Sequence, residues 1–145
     1  MLKNEWDLRK AITAIARADT GPGGLVPLHG GKPEPVVPWG DRGHMAPDGT
    51  VNRPITTLSL LPGRPSSGEP HDLLLDLQLD VWVAGGQREL AWQIVDRLEE
   101  LITAPRLLAQ GVDVAPTLRR REERPELDHG GVRMITRWEV RFTRT

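Results

Sequence analysis

Between His71 and Ala84 the chain alternates without a break: Leu73, Leu75, Leu77, Leu79, Val81 and Val83 fall on one side, and Asp72, Leu74, Asp76, Gln78, Asp80 and Trp82 on the other. A period of two marks a strand, whose successive side chains point to opposite faces. One apolar and one mostly polar face predict an antiparallel or mixed sheet covered on one side. Gly85 and Gly86 end the alternation, and Leu90, Ile94, Leu98, Leu101 and Ile102 then recur at helical spacing until Pro105. This helix, over residues 87–103, is expected to lie on the leucine face of the strand before it.

Residues 4–18 read as an earlier helix. Asn4 is a capping residue, Glu5 and Asp7 suit the positive helix start, and Leu8, Ala11, Ile12 and Ile15 share one face. A short strand is expected over residues 54–61, followed by turn-rich residues 62–68, and another over residues 113–123. The last strand sets Val132, Met134, Trp138, Val140 and Phe142, with Thr136 among them, on one face. Arg133, Ile135, Arg137, Glu139 and Arg141 stand on the other. Paired as a hairpin with residues 113–123, it keeps Val114 and Leu118 beside the apolar set only in an even-sum register.

Residues 20–54 follow no period. With eight glycines and seven prolines they suit neither a continuous helix nor a central strand, and they read as a long extended loop. Its apolar residues Leu25, Val26, Val36, Val37, Trp39 and Met45 either patch the domain's own core or grip a partner. The pattern predicts one α+β domain over residues 1–145, a mainly antiparallel four-stranded sheet packed by two helices.

Composition narrows the chemistry. The chain has no cysteine, which excludes disulfides, thiolate metal sites and cysteine nucleophiles and fits a reducing compartment such as the cytoplasm. Its net charge of -1 makes the whole chain no general ligand for nucleic acid or anionic lipid. No export signal is visible, and no apolar run approaches the ~18 residues of a membrane span.

No constellation points to catalysis, a metal or a cofactor. His29, His44, His71 and His129 fall in loops or at a strand edge without metal-ligand spacing, and read as ordinary surface residues. No serine stands in a Gly-x-Ser-x-Gly elbow, and Gly21-Pro22-Gly23-Gly24 lacks the Lys-Ser/Thr ending of a phosphate loop. Asp72, Asp76 and Asp80 share a strand face at ~13 Å spacing, too far apart for paired catalytic carboxylates and better suited to a solvated or ion-paired face. Arg119, Arg120, Arg121 and Arg124 form a basic cluster, but Glu122, Glu123 and Glu126 interrupt it and no aromatic interleaves for base stacking. Trp138 belongs to the core face, whereas Trp82 stands beside Asp80 on the polar face, as an interface residue or one covered by another part of the chain.

Charge also divides the chain. Residues 66–104 hold eight acids against two arginines, and residues 105–145 nine arginines against six acids. Asp72, Asp76 and Asp80 would face Arg119, Arg121, Arg133, Arg137 and Arg141 either across subunits or as cross-strand pairs within one.

The order of elements resembles a known family. It consists of an N-terminal helix, a Gly/Pro-rich connection, a short strand at Pro54-Ile55-Thr56-Thr57-Leu58, a long alternating strand ending Asp80-Val81-Trp82-Val83, Gly85-Gly86, an amphipathic helix and a basic hairpin. This resembles the tail-terminator, or tail-completion, proteins of long-tailed bacteriophages and related prophage or gene-transfer particles. The likeness spans residues 4–18 and nearly all of 54–145, with the loop at 20–54 as a departure.

The resemblance implies a non-enzymatic virion protein, made in the host cytoplasm, forming a hexameric ring that caps the tail tube and meets head-proximal neck proteins. DNA would pass through such a ring without specific recognition. It implies no cofactor, metal or membrane partner. Trp82, Trp39, Asp76, Asp80, Arg119, Arg121, Arg137 and Arg141 are the expected interface residues. A head-completion or stopper neck protein is the alternative of the same class, and a nucleic-acid-binding module using the arginine hairpin the alternative of another.

Overall fold

The computed structural model describes residues 3–39, 54–61, 64–66, 69–126 and 131–143. The expectations placed on His44, Met45 and His129, and on the side chains of Asn4, His71 and Asp72, lie outside the described residues. The elements, in order, are α1 (Lys3–Ala18), α2 (Leu25–Leu28), β1 (Val36–Pro38), β2 (Ile55–Leu60), β3 (Arg64–Ser66), β4 (Glu69–Ala84), α3 (Arg88–Leu101), α4 (Ala104–Ala109), β5 (Val114–Glu126) and β6 (Gly131–Thr143).

The α+β class and the mainly antiparallel sheet stand, while the expected four strands and two helices are too few. The sheet has six strands, five in the order β1-β2-β4-β6-β5, with β3 pairing β4 beside β2. Among the described strands only β1 and β2 run parallel. β1 and β3 span three residues each and both contain a proline, so neither is long enough to show an alternation. The extended loop is likewise corrected: between residues 20 and 39 it forms α2 and β1, and Leu25, Val36 and Val37 are buried. Pro105 does not simply end the second long helix. It stands in the first turn of α4, where its missing N–H costs nothing.

The helices cover one face of the sheet. Leu75, Leu77, Leu79, Val81 and Val83 of β4 and Met134, Trp138, Val140 and Phe142 of β6 pack under Ala91, Ile94, Val95, Leu98 and Leu101 of α3, as their spacing predicts. Leu8, Ala11, Ile12 and Ala16 of α1 extend this core toward Leu25 and Val36. Burying each large side chain contributes roughly 1.5–3 kcal/mol, so β4, with five such positions on one face, anchors the fold. Thr136 enters this core by donating to the Leu79 carbonyl at 2.9 Å and accepting from the Trp138 indole N–H at 2.9 Å. Its hydroxyl is thereby satisfied in both roles.

Geometry requires glycine on both sides of the end of β4. Gly86 turns β4 into α3 with a φ of 88°, a left-handed conformation that costs glycine least. Gly131 opens β6 where the Val83 carbonyl of β4 passes so close that a Cβ would overlap it.

The β5–β6 hairpin begins in the even-sum register, with Val114 opposite Phe142 and Leu118 opposite Trp138. A bulge at Arg119 then inserts one residue, and Arg120 pairs with Arg137. From there every β5 side chain changes face. Arg121, expected on the outward face with Arg137, instead lies opposite Thr136 on the helix side, where Asp96 and Glu99 of α3 hold it at 2.6 and 3.5 Å. Its guanidinium also stands 4.9 Å from the Trp92 ring centre. No apolar residue after Leu118 holds the original parity, and carboxylates with an indole on α3 favour the shifted one.

Candidate interaction surface

The opposite face of the sheet carries no helix among the described residues, and the expected interface residues divide around it. On β4, Asp76 is half-buried, whereas Asp80 and Trp82 are buried. On β6, Arg137 and Arg141 are exposed. Arg119 projects at the bulge, bridged to Glu139 at 3.2 Å, and Arg121 is drawn away to the helix layer.

At the β1 end this face is closed by a cation between two indoles. Ile55 pairs with Trp82 across β2 and β4, and Val37 joins them in a small second core. Trp39, just after β1, leans on Trp82 with ring centres 6.0 Å apart at 43°. The Arg133 guanidinium lies 4.7 Å from the centre of Trp82 and 5.3 Å from that of Trp39. Such contacts contribute about 0.5–2 kcal/mol depending on desolvation. Trp82 is thus covered by its own chain, and its indole N–H donates to Thr57 Oγ1 at 3.1 Å. Trp39 remains half exposed.

Asp80 is the anion beneath this stack. It is only 1% exposed, and Arg133 reaches its Oδ2 at 2.6 Å, while the Gln78 side-chain amide donates to both carboxylate oxygens at 3.0 Å. A buried carboxylate needs such partners, because desolvation without them costs several kcal/mol. Asp80 is therefore part of the subunit's own framework, and at this position the face is ion-paired, by a cross-strand bridge to Arg133 within one subunit. Asp76 lies opposite Glu139 and Gln78 opposite Arg137 in the β4–β6 ladder.

Most of the arginine hairpin is engaged with carboxylates. Arg120 and Arg124 reach Glu122 at 3.2 and 3.4 Å, and Arg88 of α3 pairs with Glu123. β5 is also a sheet edge thirteen residues long. Pro116, Pro125, the bulge and the charged side chains from Arg119 to Arg124 blunt it against pairing with another strand.

Two further clusters have no counterpart in the spacing of residues. Asp19, just past α1, accepts from Arg97 Nη2 at 2.6 Å and Nε at 2.8 Å, and from the Leu25 backbone N–H at 2.7 Å. The Arg97 hydrogen bond holds the Asp19 carboxyl below its ordinary value, against the opposing effect of burial, and Asp19 raises Arg97 in turn. The pair ties the end of α1 to α3. His29, expected at the surface, is fully buried. Its Nδ1 lies 2.7 Å from the Leu25 carbonyl, which only accepts, so Nδ1 carries the proton and Nε2 accepts from Thr56 Oγ1 at 2.8 Å. Burial lowers its pKa to about 4. The ring links α2 to β2 as a neutral strut.

No group of three or more His, Cys, Asp or Glu residues able to hold a metal ion occurs among the described residues. No described helix is long and apolar enough to cross a membrane. No protein-family model matches the chain, and no curated protein does. Among solved structures, one chain aligns with 99% of this chain and with 99% of its own length, at a TM-score of 0.66 and 16% identity. It comes from the virion of a native gene transfer agent particle. The shared feature is the fold, end to end.

Proposed function

We propose that this chain is a structural subunit of a phage-like tailed particle, a ring-forming tail terminator that caps the tail tube and joins it to the neck. The observation that carries this reading is the full-length fold likeness to a chain of a gene transfer agent virion. The resemblance in element order to tail terminators supports the finer assignment. In this reading the protein is not an enzyme. It works by contacts with its own copies, with the tail-tube protein and with neck or head-completion proteins, while DNA passes through the ring without being read. Its place is the tail–neck junction of the particle, after synthesis in the producing cell's cytoplasm. Engagement of the hairpin arginines by Glu122, Glu139, Asp96 and Glu99 weighs against the nucleic-acid-binding alternative, which needs a basic surface facing outward.

Deletion of the gene in a particle-producing strain, followed by electron microscopy, tests the reading. Tails of uncontrolled length, unjoined to heads, are expected. Tails of normal length beside detached heads would assign the chain to the head-completion or stopper position, and unaltered particles would refute a structural role at the junction.

A further inference from the structure

Trp39 and a hollow on the same sheet face form a knob and a hole that one chain cannot bring together. The knob is held rigidly: the Trp39 backbone N–H donates to the Leu58 carbonyl at 2.9 Å, and the ring rests on Trp82 and Arg133. Half of it still faces solvent. The hollow, about 340 Å³, is lined on this face by Leu61, Asp76, Gln78, Arg120, Arg137 and Glu139. Leu61 is a large apolar residue left 54% exposed at its wall. The Arg119–Glu139 bridge forms part of its rim.

Trp39 follows β1, at one end of the strand order, whereas the hollow spans β4, β6 and β5 toward the other. The Trp39 ring rests on Arg133 of β6, and Arg137 at the hollow stands four residues farther along the same strand, roughly 13 Å. Trp39 thus cannot fill its own chain's hollow while it stacks on Arg133. The chemistry of the rim suits an indole. Guanidinium groups favour the electron-rich face of a tryptophan ring, and this chain already makes that contact at Trp92, Trp82 and Trp39.

We propose that Trp39 of one subunit inserts into the Leu61–Gln78–Arg137 hollow of the next copy. Knob and hole are different patches separated along the strands, so the contact is head-to-tail, and such contacts close into rings when the rotation between copies permits. This inference rests on the ring reading above and names the residues that would make its contact. The occupant is a second copy because the knob that matches the hole is carried by the same chain.

Analytical ultracentrifugation of the full chain, alone and with the tail-tube protein, tests it with Trp39→Ala and Arg137→Glu. Circular dichroism and urea unfolding check that both variants fold. A buried tryptophan anchor lost from an interface weakens association about tenfold or more. Each variant alone should therefore stay dispersed at concentrations where the wild type forms rings. An equal mixture should give a one-to-one heterodimer that grows no further, because the intact Trp39 of Arg137→Glu fits the intact hollow of Trp39→Ala and both outer ends are blocked. Wild-type rings that Trp39→Ala leaves intact would refute this contact while the ring reading stands. A wild-type assembly that stops at two copies would refute the head-to-tail arrangement. Loss of tube-protein binding in Arg137→Glu with unchanged self-assembly would give the hollow to that partner and overturn the proposal. A wild type that stays monomeric under both conditions would overturn the ring reading itself.

Discussion

Acidification should weaken this fold through one residue. His29 is neutral in its buried site, with its pKa lowered from 6.5 to about 4 by burial. The Leu25 carbonyl opposes that shift and the nearby Lys32 adds to it. In the unfolded chain the ring takes up a proton near its ordinary value of 6.5, while the folded chain refuses one until about 4. Stability is therefore fully present above pH 6.5 and is lost as the pH falls from there toward 4. At about 1.4 kcal/mol per unit, the loss approaches 3 kcal/mol across that window, a large part of the stability of a small domain. The Asp19 carboxyl, lowered by Arg97, begins to lose its contribution only near its ordinary value of 3.8, so it hardly overlaps. Urea unfolding of the wild type and of His29→Gln at pH 7.5, 6.0, 5.0 and 4.5 separates the two groups. The wild type should lose about 2–3 kcal/mol between the extremes, and the variant, weaker at neutral pH, should change far less. Parallel slopes in the two proteins would refute His29 as the source.

Three other perturbations test the framework. Arg133→Leu leaves Asp80 buried without its cation and should cost about 3–5 kcal/mol, whereas Arg133→Leu with Asp80→Leu should recover much of that in the same unfolding assay. Gly131→Ala places a Cβ against the Val83 carbonyl, so the β4–β6 ladder must shift and the midpoint of thermal unfolding should fall, with a loss of about 1–3 kcal/mol; an unchanged midpoint would show that the approach relaxes at no cost. Arg121→Gln removes a half-exposed pair with Asp96 and a stack on Trp92 and should cost no more than about 1 kcal/mol. A larger loss would mean that the bulge register itself depends on Arg121.

The segments that pack by their own period were legible in the chain: β4 by its alternation, α3 by its helical repeat, and the core residues that their contact brings together. A period is local information, and a single large apolar face leaves few ways to bury it. What depends on distant partners was not. β1 and β3 are too short to carry a pattern and exist because β2 and β4 offer them hydrogen-bonding edges. The reversal of parity after Leu118 sets Arg121 beside Asp96, Glu99 and Trp92, residues of another element that no spacing along β5 reveals. His29 looked like a surface histidine because its partners, Leu25 and Thr56, lie four and twenty-seven residues away. For Asp80 and Trp82 the pattern left open a solvated, ion-paired or partner-bound face, because the side chains that cover them, Arg133 and Trp39, arrive from β6 and from the end of β1. Sequence by itself determined which faces must be buried. Only the tertiary structure decided which polar groups share that burial, because a buried charge or imidazole is set by the partner that satisfies it and not by its neighbours along the chain.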